Sequence, residues 1–183
     1  MGHMSDSEGL SAHPDLASVG ASMRSEWAAE QSDATRDAHE NFQRNQTLRE
    51  WLIAAMHAGD RIAVTIVDQR FTGLVDEVGD DLLGLRAIFG RVDLHLAPGI
   101  PLHIELVDHP SAGGSRGRTD GSFAAAIAAR DPNADMSVGT AFQPEGLDGQ
   151  LSAGRDFVTI RAKAGAVTVI PLAQVAWVSA RRV

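Results

Sequence analysis

The sequence predicts a mainly β fold with flanking helices, organised as two tandem five-stranded barrels behind an N-terminal amphipathic helix. A nine-residue pattern occurs twice, at 79–87 and 154–162. Each copy reads as a glycine turn, an acidic corner and an alternating strand that ends in Arg-Ala, and a further glycine follows at Gly90 and Gly165. Around both copies apolar residues alternate with period two, which is typical of half-buried strands. A repeated pattern of this kind favours two small β units over one larger domain.

Composition limits the classes of function that the chain can have. It has 183 residues and a formal net charge of −8, so general attraction to nucleic-acid phosphate is not expected. The acid is concentrated in residues 1–60, which hold ten Asp and Glu against four Arg. Cysteine is absent, which excludes disulfides, thiolate metal sites and cysteine nucleophiles. No apolar run approaches the roughly 18 residues of a membrane span and no secretory signal is visible, so we expect a cytoplasmic protein.

The N-terminal part predicts an acidic leader. Residues 1–15 resemble a tag remnant followed by a Ser-, Asp- and Gly-rich stretch, which is typical of disorder. Residues 16–46 have apolar side chains mostly three or four positions apart, which predicts an amphipathic helix. Three interpretations are open: a helix packed on the chain's own barrels, a docking or oligomerisation helix, or a disordered segment. The candidate protein-interface residues are Leu16, Val19, Met23, Trp27 and Phe42.

Residues 47–109 predict the first barrel. Thr47 and Glu50 have the spacing of a capping box, and Gly59 supplies a left-handed stop, so a short helix is expected between them. Gly73, inside the second expected strand, predicts a bend or the close approach of another backbone. Five short strands behind a helix are typical of a small, nearly closed barrel. The expected strands are 62–67, 71–78, 82–88, 91–96 and 100–107.

Residues 110–121 are rich in Gly, Ser and Arg, which favours a flexible solvated linker over the alternative of a phosphate-binding arm that uses Arg116 and Arg118. Residues 122–183 predict the second barrel, which begins with an alanine-rich helix at 122–130. The likeness between the two units is strong in strands two to four and weak in the first. The expected strands of the second unit are 137–142, 147–153, 157–163, 167–170 and 172–178.

The first unit resembles the Sm-like (LSm) family, whose members are small SH3-like barrels. The resemblance rests on the short helix, Gly59, the strand at 61–68, and the strand bent at Gly73. The second unit adds an Ile-Pro-Leu phrase at 170–172, which is echoed at 100–102. The pair behind an acidic leader also resembles a group of actinobacterial proteins with two such barrels. The resemblance implies that the fourth strand of one barrel pairs with the fifth strand of a neighbour, which removes exposed edges.

The residues that bind RNA in this family are not matched. An Asn clamps a base in RNA-binding members, whereas the corresponding place here is near Leu83, which cannot form a hydrogen bond. The chain has no Tyr, and Phe157 is the aromatic residue that the corner offers for base stacking in one repeat. The usual uridine-binding ring is therefore not predicted.

No catalytic, cofactor or metal site is predicted, because we find no nucleophile paired with a base, no phosphate-binding glycine loop and no zinc pattern. A cation site at the first acidic corner competes with a solvated turn, which is favoured because the second copy lacks these acids. Asp93 and His95 are two apart and should share one face of a strand. The acidic corner contains Asp76, Glu77, Asp80 and Asp81.

The first functional hypothesis is a non-catalytic interaction and assembly module. It would bind a protein partner, or itself, through the leader helix or the free barrel edges. The alternative is an RNA- or DNA-binding protein of nucleic-acid metabolism. For Arg86 and Arg161, which occupy matching positions, ion pairs with Asp81 and Asp156 are the competing interpretation. The candidate nucleic-acid-binding residues are Arg86, Arg161, Arg116, Arg118, Arg181 and Arg182.

Overall fold

The structure is a computed structural model that describes residues 45–109, 113–114 and 116–180, together with helical positions 23, 27–28 and 30–32. The chain divides into two compact units, residues 1–46 and 47–183. In the unit formed by residues 1–46, Met23 and Trp27 are helical, and the Trp27 side chain is 66% exposed. The other candidate interface residues of the leader, Leu16, Val19 and Phe42, lie outside the described residues, as do Arg181 and Arg182.

The unit formed by residues 47–183 is mainly β, as predicted. Within the described residues it contains two helices, α1 (Leu48–Ala58) and α2 (Phe123–Ala128), and a short 3-10 helix, Leu172–Gln174. The strand bounds lie within three residues of those predicted from the sequence. The strands are β1 (Arg61–Ile66), β2 (Gln69–Val78), β3 (Leu82–Ala87), β4 (Gly90–His95), β5 (Leu102–Asp108), β6 (Asp135–Thr140), β7 (Leu147–Ala153), β8 (Phe157–Arg161), β9 (Val167–Pro171) and β10 (Val175–Ala180).

All ten strands form one antiparallel sheet in the order β5-β1-β2-β3-β4-β10-β6-β7-β8-β9. The sequence predicts closed or nearly closed barrels, but this sheet is open, with β5 and β9 at its ends. The two halves are joined where β10 pairs with β4, and Val178 lies opposite Asp93. This junction forms because β3 occupies one edge of β4, and the other edge presents a row of backbone groups to which β10 binds.

Both halves repeat the same strand order, β5-β1-β2-β3-β4 and β10-β6-β7-β8-β9. Two glycines fix the correspondence. A Cβ atom on Gly73 would lie 2.6 Å from the carbonyl oxygen of Arg86, and one on Gly149 would collide in the same way with that of Arg161. The predicted close approach of another backbone at Gly73 is thus confirmed, and Gly149 and Arg161 are the structural counterparts of Gly73 and Arg86.

The repeat loses its register at the following turn. Ala87 pairs directly with Gly90, whereas Arg161 pairs with Val167 across a longer turn that contains Gly165. Gly165 has φ +87° within that turn, so it is not the structural counterpart of Gly90, which begins β4. Since Arg86 pairs with Arg91 and Arg161 with Val167, Arg91 corresponds to Val167. Two residues further on, Asp93 of β4 therefore corresponds to Val169 of β9.

Each half has its own apolar core, and each core includes a residue from the other half. The first core contains Leu52 and Met56 of α1 and also Trp177 of β10. The second contains Phe123 of α2 and also Leu82 of β3. The predicted capping box of α1 is confirmed, since the Glu50 carboxylate accepts a hydrogen bond from the Thr47 amide at 2.8 Å. The two halves therefore share apolar packing as well as strand pairing.

We expect Gly73→Ala to destabilise the fold by about 1–3 kcal/mol, because the added methyl group meets rigid backbone of β3. Gly149→Ala should have a similar effect, since its methyl group meets the equivalent carbonyl. Urea unfolding followed by circular dichroism measures both changes. Thr72→Ala, at an exposed position of the same strand, is the control and should change stability by less than about 1 kcal/mol. Equal effects of the three variants would contradict the close approach.

Candidate ligand cleft and free sheet edges

The two faces of β4 have different environments. Val92 and Leu94 point into the first core. The alternate residues Arg91, Asp93 and His95 lie on the opposite face and contact the segment of α2 or the acidic residues beside it. Asp93 and His95 thus share one face, as their spacing predicts. This face of β4 carries a site with charged side chains, which is centred on Asp93.

Asp93 is the centre of this site. Its side chain is only 1% exposed, yet both carboxylate oxygens have a cationic partner. The Oδ1 atom accepts a hydrogen bond from Nε of Arg91 at 2.7 Å, and Oδ2 accepts one from Nη2 of Arg130, which follows α2. A buried carboxylate is tolerated when its charge is paired and its lone pairs are used, and both conditions hold here.

Arg91 connects Asp93 to two further carboxylates. Its Nη2 atom donates to Oε2 of Glu77, and its Nη1 atom lies 3.4 Å from Oδ2 of Asp76. Burial acts to lower the pKa of the Arg91 guanidinium, but the hydrogen bonds to Glu77 and Asp93 outweigh burial and the pKa is raised. Arg91 therefore stays charged, and each of its three nitrogen atoms has a carboxylate partner.

His95 joins four segments of the chain. Its Nδ1 atom lies 2.9 Å from the carbonyl oxygen of Val175, on β10. Its ring stacks on that of Phe123, at the start of α2, with the ring centroids 4.4 Å apart. The amide of Phe123 donates to Oδ1 of Asp81 at 2.8 Å, and Oδ2 of Asp81 lies 3.7 Å from Nε2 of His95. These contacts hold the start of α2 against the end of β4.

The backbone of the described part of the linker is hydrogen-bonded to the first half, while most of its side chains are exposed. The amide of Val78 donates to the carbonyl oxygen of Arg118 at 3.0 Å, and the amide of Asp80 donates to that of Gly121 at 3.2 Å. The Arg49 guanidinium of α1 donates to the carbonyl oxygen of Thr119 at 2.6 Å. Backbone hydrogen bonds, which composition does not reveal, therefore fix the position of residues 118–121.

A cleft of about 410 Å³ opens between the linker, the segment 122–130 and the outer face of β4. We call it the junction cleft. Its charged lining residues are Glu77, Arg91, Asp93, Arg118 and Arg130. Small residues make room for it: Gly121, Ser122, Ala125, Ala126 and Ala129. Its volume lies within the usual range of small-molecule sites, about 300–1,000 Å³, but its lining is more highly charged than is usual for such sites.

The arginines predicted to contact nucleic acid have different environments. Arg86 pairs with Asp76 instead of the expected Asp81, because Arg86 lies opposite Leu74 and so shares a face with Asp76. Arg161 is exposed, and the described residues include no ion-pair partner for it. Arg118 lines the junction cleft, whereas Arg116 lines a separate groove beside α1. Arg91 and Arg130, which sequence reasoning missed, make the shortest charged contacts of the cleft.

The ends of the sheet have backbone groups that point away from it. The amide of Ala162 donates to the carbonyl oxygen of Ala166, so residues 166, 168 and 170 face β8. The backbone groups of Val167 and Val169 therefore point outward. On β5, the Val67 amide donates to the carbonyl oxygen of Pro101 at 3.1 Å. By the same alternation, residues 102, 104 and 106 point outward.

The two edges differ in side-chain chemistry. On β9 the side chains of Val167 and Val169 are 53% and 61% exposed. On β5 the half-buried Glu105 accepts a hydrogen bond from Arg70 at 2.6 Å, and this bond and the charge of Arg70 lower the pKa of Glu105. The side chains of Leu106 and Val107 on β5 are also exposed. Within the described part of the chain, both edges thus combine backbone groups that have no strand partner with exposed apolar side chains.

Comparisons with known proteins give no match: no protein-family profile, curated protein or solved structure is significantly similar to this chain. Among the residues that the structure describes, no group of three or more His, Asp and Glu side chains is placed to hold a metal ion. Nor does that part of the chain contain a helix of the length and apolar character needed to cross a membrane.

We expect Asp93→Asn to destabilise the protein by about 3 kcal/mol, because the change leaves the charges of Arg91 and Arg130 without their shared carboxylate. Asp120→Asn is the matched control. Asp120 is 81% exposed and makes only a 3.5 Å ion pair, so its change should cost less than about 0.5 kcal/mol. Urea denaturation of the full chain measures both. Indistinguishable midpoints for the two variants would show that Asp93 is not essential to the junction.

Proposed function

We propose that this chain is a non-catalytic interaction and assembly module of tandem Sm-like type, which binds another protein strand at the open ends of its sheet. The supporting observation is the pairing of β4 with β10 inside the chain. That contact joins the fourth strand of one half to the fifth strand of the other. The strands in the equivalent positions at the open ends are β9 and β5.

The internal contact predicts a register for pairing between two chains. Val64 lies opposite Ile104, and its counterpart Val138 lies opposite Val178, so Ile104 corresponds to Val178. Val169 corresponds to Asp93, and Asp93 pairs with Val178 at the internal junction. Pairing of β9 from one chain with β5 from another would therefore place Val169 opposite Ile104. The backbone groups of both residues point outward, as such pairing requires.

The same contact determines the symmetry of the assembly. Because β9 would bind β5 of the next chain, each contact uses two different surfaces and is head-to-tail. Head-to-tail contacts form rings when the rotation closes and filaments when it does not. Ring closure also removes the exposed edges, which are otherwise templates for non-specific strand pairing. For such a self-assembling protein, the fraction of chains in assemblies is expected to rise with protein concentration. The assemblies have a defined number of chains where the ring closes.

Val169→Pro tests the proposal, because proline removes an outward N–H group that β8 does not use. We expect the variant to keep its circular dichroism spectrum and to sediment as a monomer, whereas the unmodified chain associates. Val169→Thr is the control, because it keeps the backbone donor and the β-branched shape, and it should associate like the unmodified chain. Sedimentation velocity over a hundredfold concentration range measures all three.

A second variant distinguishes the edges from the leader helix. Met23 and Trp27 are exposed helical residues of the leader, residues 1–46, and are the alternative protein contact. If the edges carry assembly, Trp27→Ala associates like the unmodified chain. Loss of association in Trp27→Ala but not in Val169→Pro would assign assembly to the leader instead. A chain that is monomeric at every concentration would contradict self-assembly through either surface.

Nucleic-acid binding is the second candidate function. It is favoured by Arg161, whose exposed guanidinium has no ion-pair partner among the described residues, unlike its counterpart Arg86. Contacts to phosphate release counterions, so the logarithm of the affinity for single-stranded RNA or duplex DNA should fall steeply with the logarithm of salt concentration. Arg161→Ala should reduce that slope by about 1. A weak affinity that does not respond to salt would exclude this function.

A further inference from the structure

Among the described residues, the junction cleft has unused donors on arginine and one unused carboxylate acceptor, Oε1 of Glu77, which lies 3.8 Å from Nε of Arg118. Both oxygens of Asp93 accept from guanidinium groups, and Oε2 of Glu77 accepts from Arg91. All three nitrogen atoms of Arg91 face carboxylates. Arg130 uses Nη2 for Asp93, and the described residues provide no hydrogen-bond partner for its other two nitrogens. A ligand that enters the cleft therefore meets arginine N–H groups that have no acceptor among the described residues.

Arg118 is the least engaged of these cations. Its Nε atom lies 3.8 Å from Glu77 and 3.5 Å from Asp120, and within the described part of the chain its guanidinium makes no hydrogen bond. The side chain is 75% exposed. Its backbone is nevertheless fixed, because its carbonyl oxygen accepts from the Val78 amide and it forms a β-bridge with Glu77. A guanidinium that has two ion-pair contacts but no hydrogen bond among the described residues therefore extends from a fixed backbone position in the lining of the cleft.

Arg118 and Arg130 approach the cleft from different segments. Arg118 belongs to the linker, and Arg130 follows α2, with its guanidinium held in place by Asp93. The alanines of α2 that line the cleft leave the space between these segments unfilled. Guanidinium groups present N–H donors in a planar fork that matches the oxygens of phosphate and carboxylate groups. Two such forks with spare donors favour an anion with several oxygens over a cation or an apolar molecule.

We propose that the junction cleft binds a small oxyanionic ligand, carrying phosphate or carboxylate groups, between the guanidinium groups of Arg118 and Arg130. This site is separate from the open sheet edges, because neither β5 nor β9 contributes to its lining. A bound oxyanion would connect the linker to the end of α2. It would therefore stabilise the joined arrangement of the two halves by RT ln(1 + [L]/Kd), where [L] is the free ligand concentration.

Thermal unfolding of the full chain with pyrophosphate or citrate tests the proposal, at an ionic strength held constant with sodium chloride. At a concentration a hundredfold above Kd, we expect the ligand that fits to raise Tm by about 5–10 °C. Titration calorimetry then gives its Kd. A response to pyrophosphate alone assigns phosphate chemistry, and a response to citrate alone assigns carboxylate chemistry. A response to both supports a general oxyanion site.

Arg118→Ala should weaken binding at least tenfold and leave the Tm of the unliganded protein unchanged, because the side chain is exposed and lacks a hydrogen bond. Arg118→Lys keeps the charge but loses the fork, so its affinity should be intermediate. Arg155→Ala removes an exposed arginine of the turn between β7 and β8 that does not line the cleft, and it should bind like the unmodified chain. No rise in Tm with either anion would overturn the proposal. So would unchanged binding by Arg118→Ala, or equal losses in the Arg118→Ala and Arg155→Ala variants.

Discussion

The rest of the structure depends on the pairing of β4 on both of its edges, with β3 on one side and β10 on the other. A strand in this position has both edges occupied, so its alternate side chains must fit two different environments. Val92 and Leu94 satisfy the apolar side, and Asp93 on the other side brings a buried charge. An unpaired carboxylate there would be costly, so Arg91 and Arg130 must lie beside it. The position of Arg130 fixes the end of α2 over the sheet, and the junction cleft is the space that remains between α2 and the linker.

Features that depend on neighbouring residues could be predicted from the sequence. The hydrogen bonds of the capping box between Thr47 and Glu50 span three positions, and the strands follow from alternation within six or seven residues. Gly73 was informative because only glycine tolerates a backbone atom where its Cβ would be. The contact between β4 and β10 could not be predicted in this way. Every strand has the backbone groups that pair there, so the sequence of β4 does not indicate which distant strand covers it.

The charged site shows the same limit. The alternation of Arg91, Asp93 and His95 correctly placed Asp93 and His95 on one face, but nothing local identifies Arg130 as the partner of Asp93. An arginine after a short alanine-rich helix is usually a solvated cation, and only the path of the chain brings it to β4. The partner of Arg86 was wrong for a related reason. Proximity in sequence to the acidic corner suggested Asp81, whereas the register of β2 and β3 places Asp76 on the same face as Arg86.

The equivalent positions Asp93 and Val169 explain why one fourth strand binds within the chain and the other remains at an open end. A charged side chain on an edge discourages pairing with foreign strands, and Asp93 is neutralised by an arginine that its own chain supplies. The internal contact is therefore specific to β10 and its neighbouring helix. Val169 has no charge to exclude another strand, and covering its exposed apolar side chain lowers the free energy. Under the proposed head-to-tail assembly, β4 binds within its own chain, whereas β9 would bind β5 of another chain.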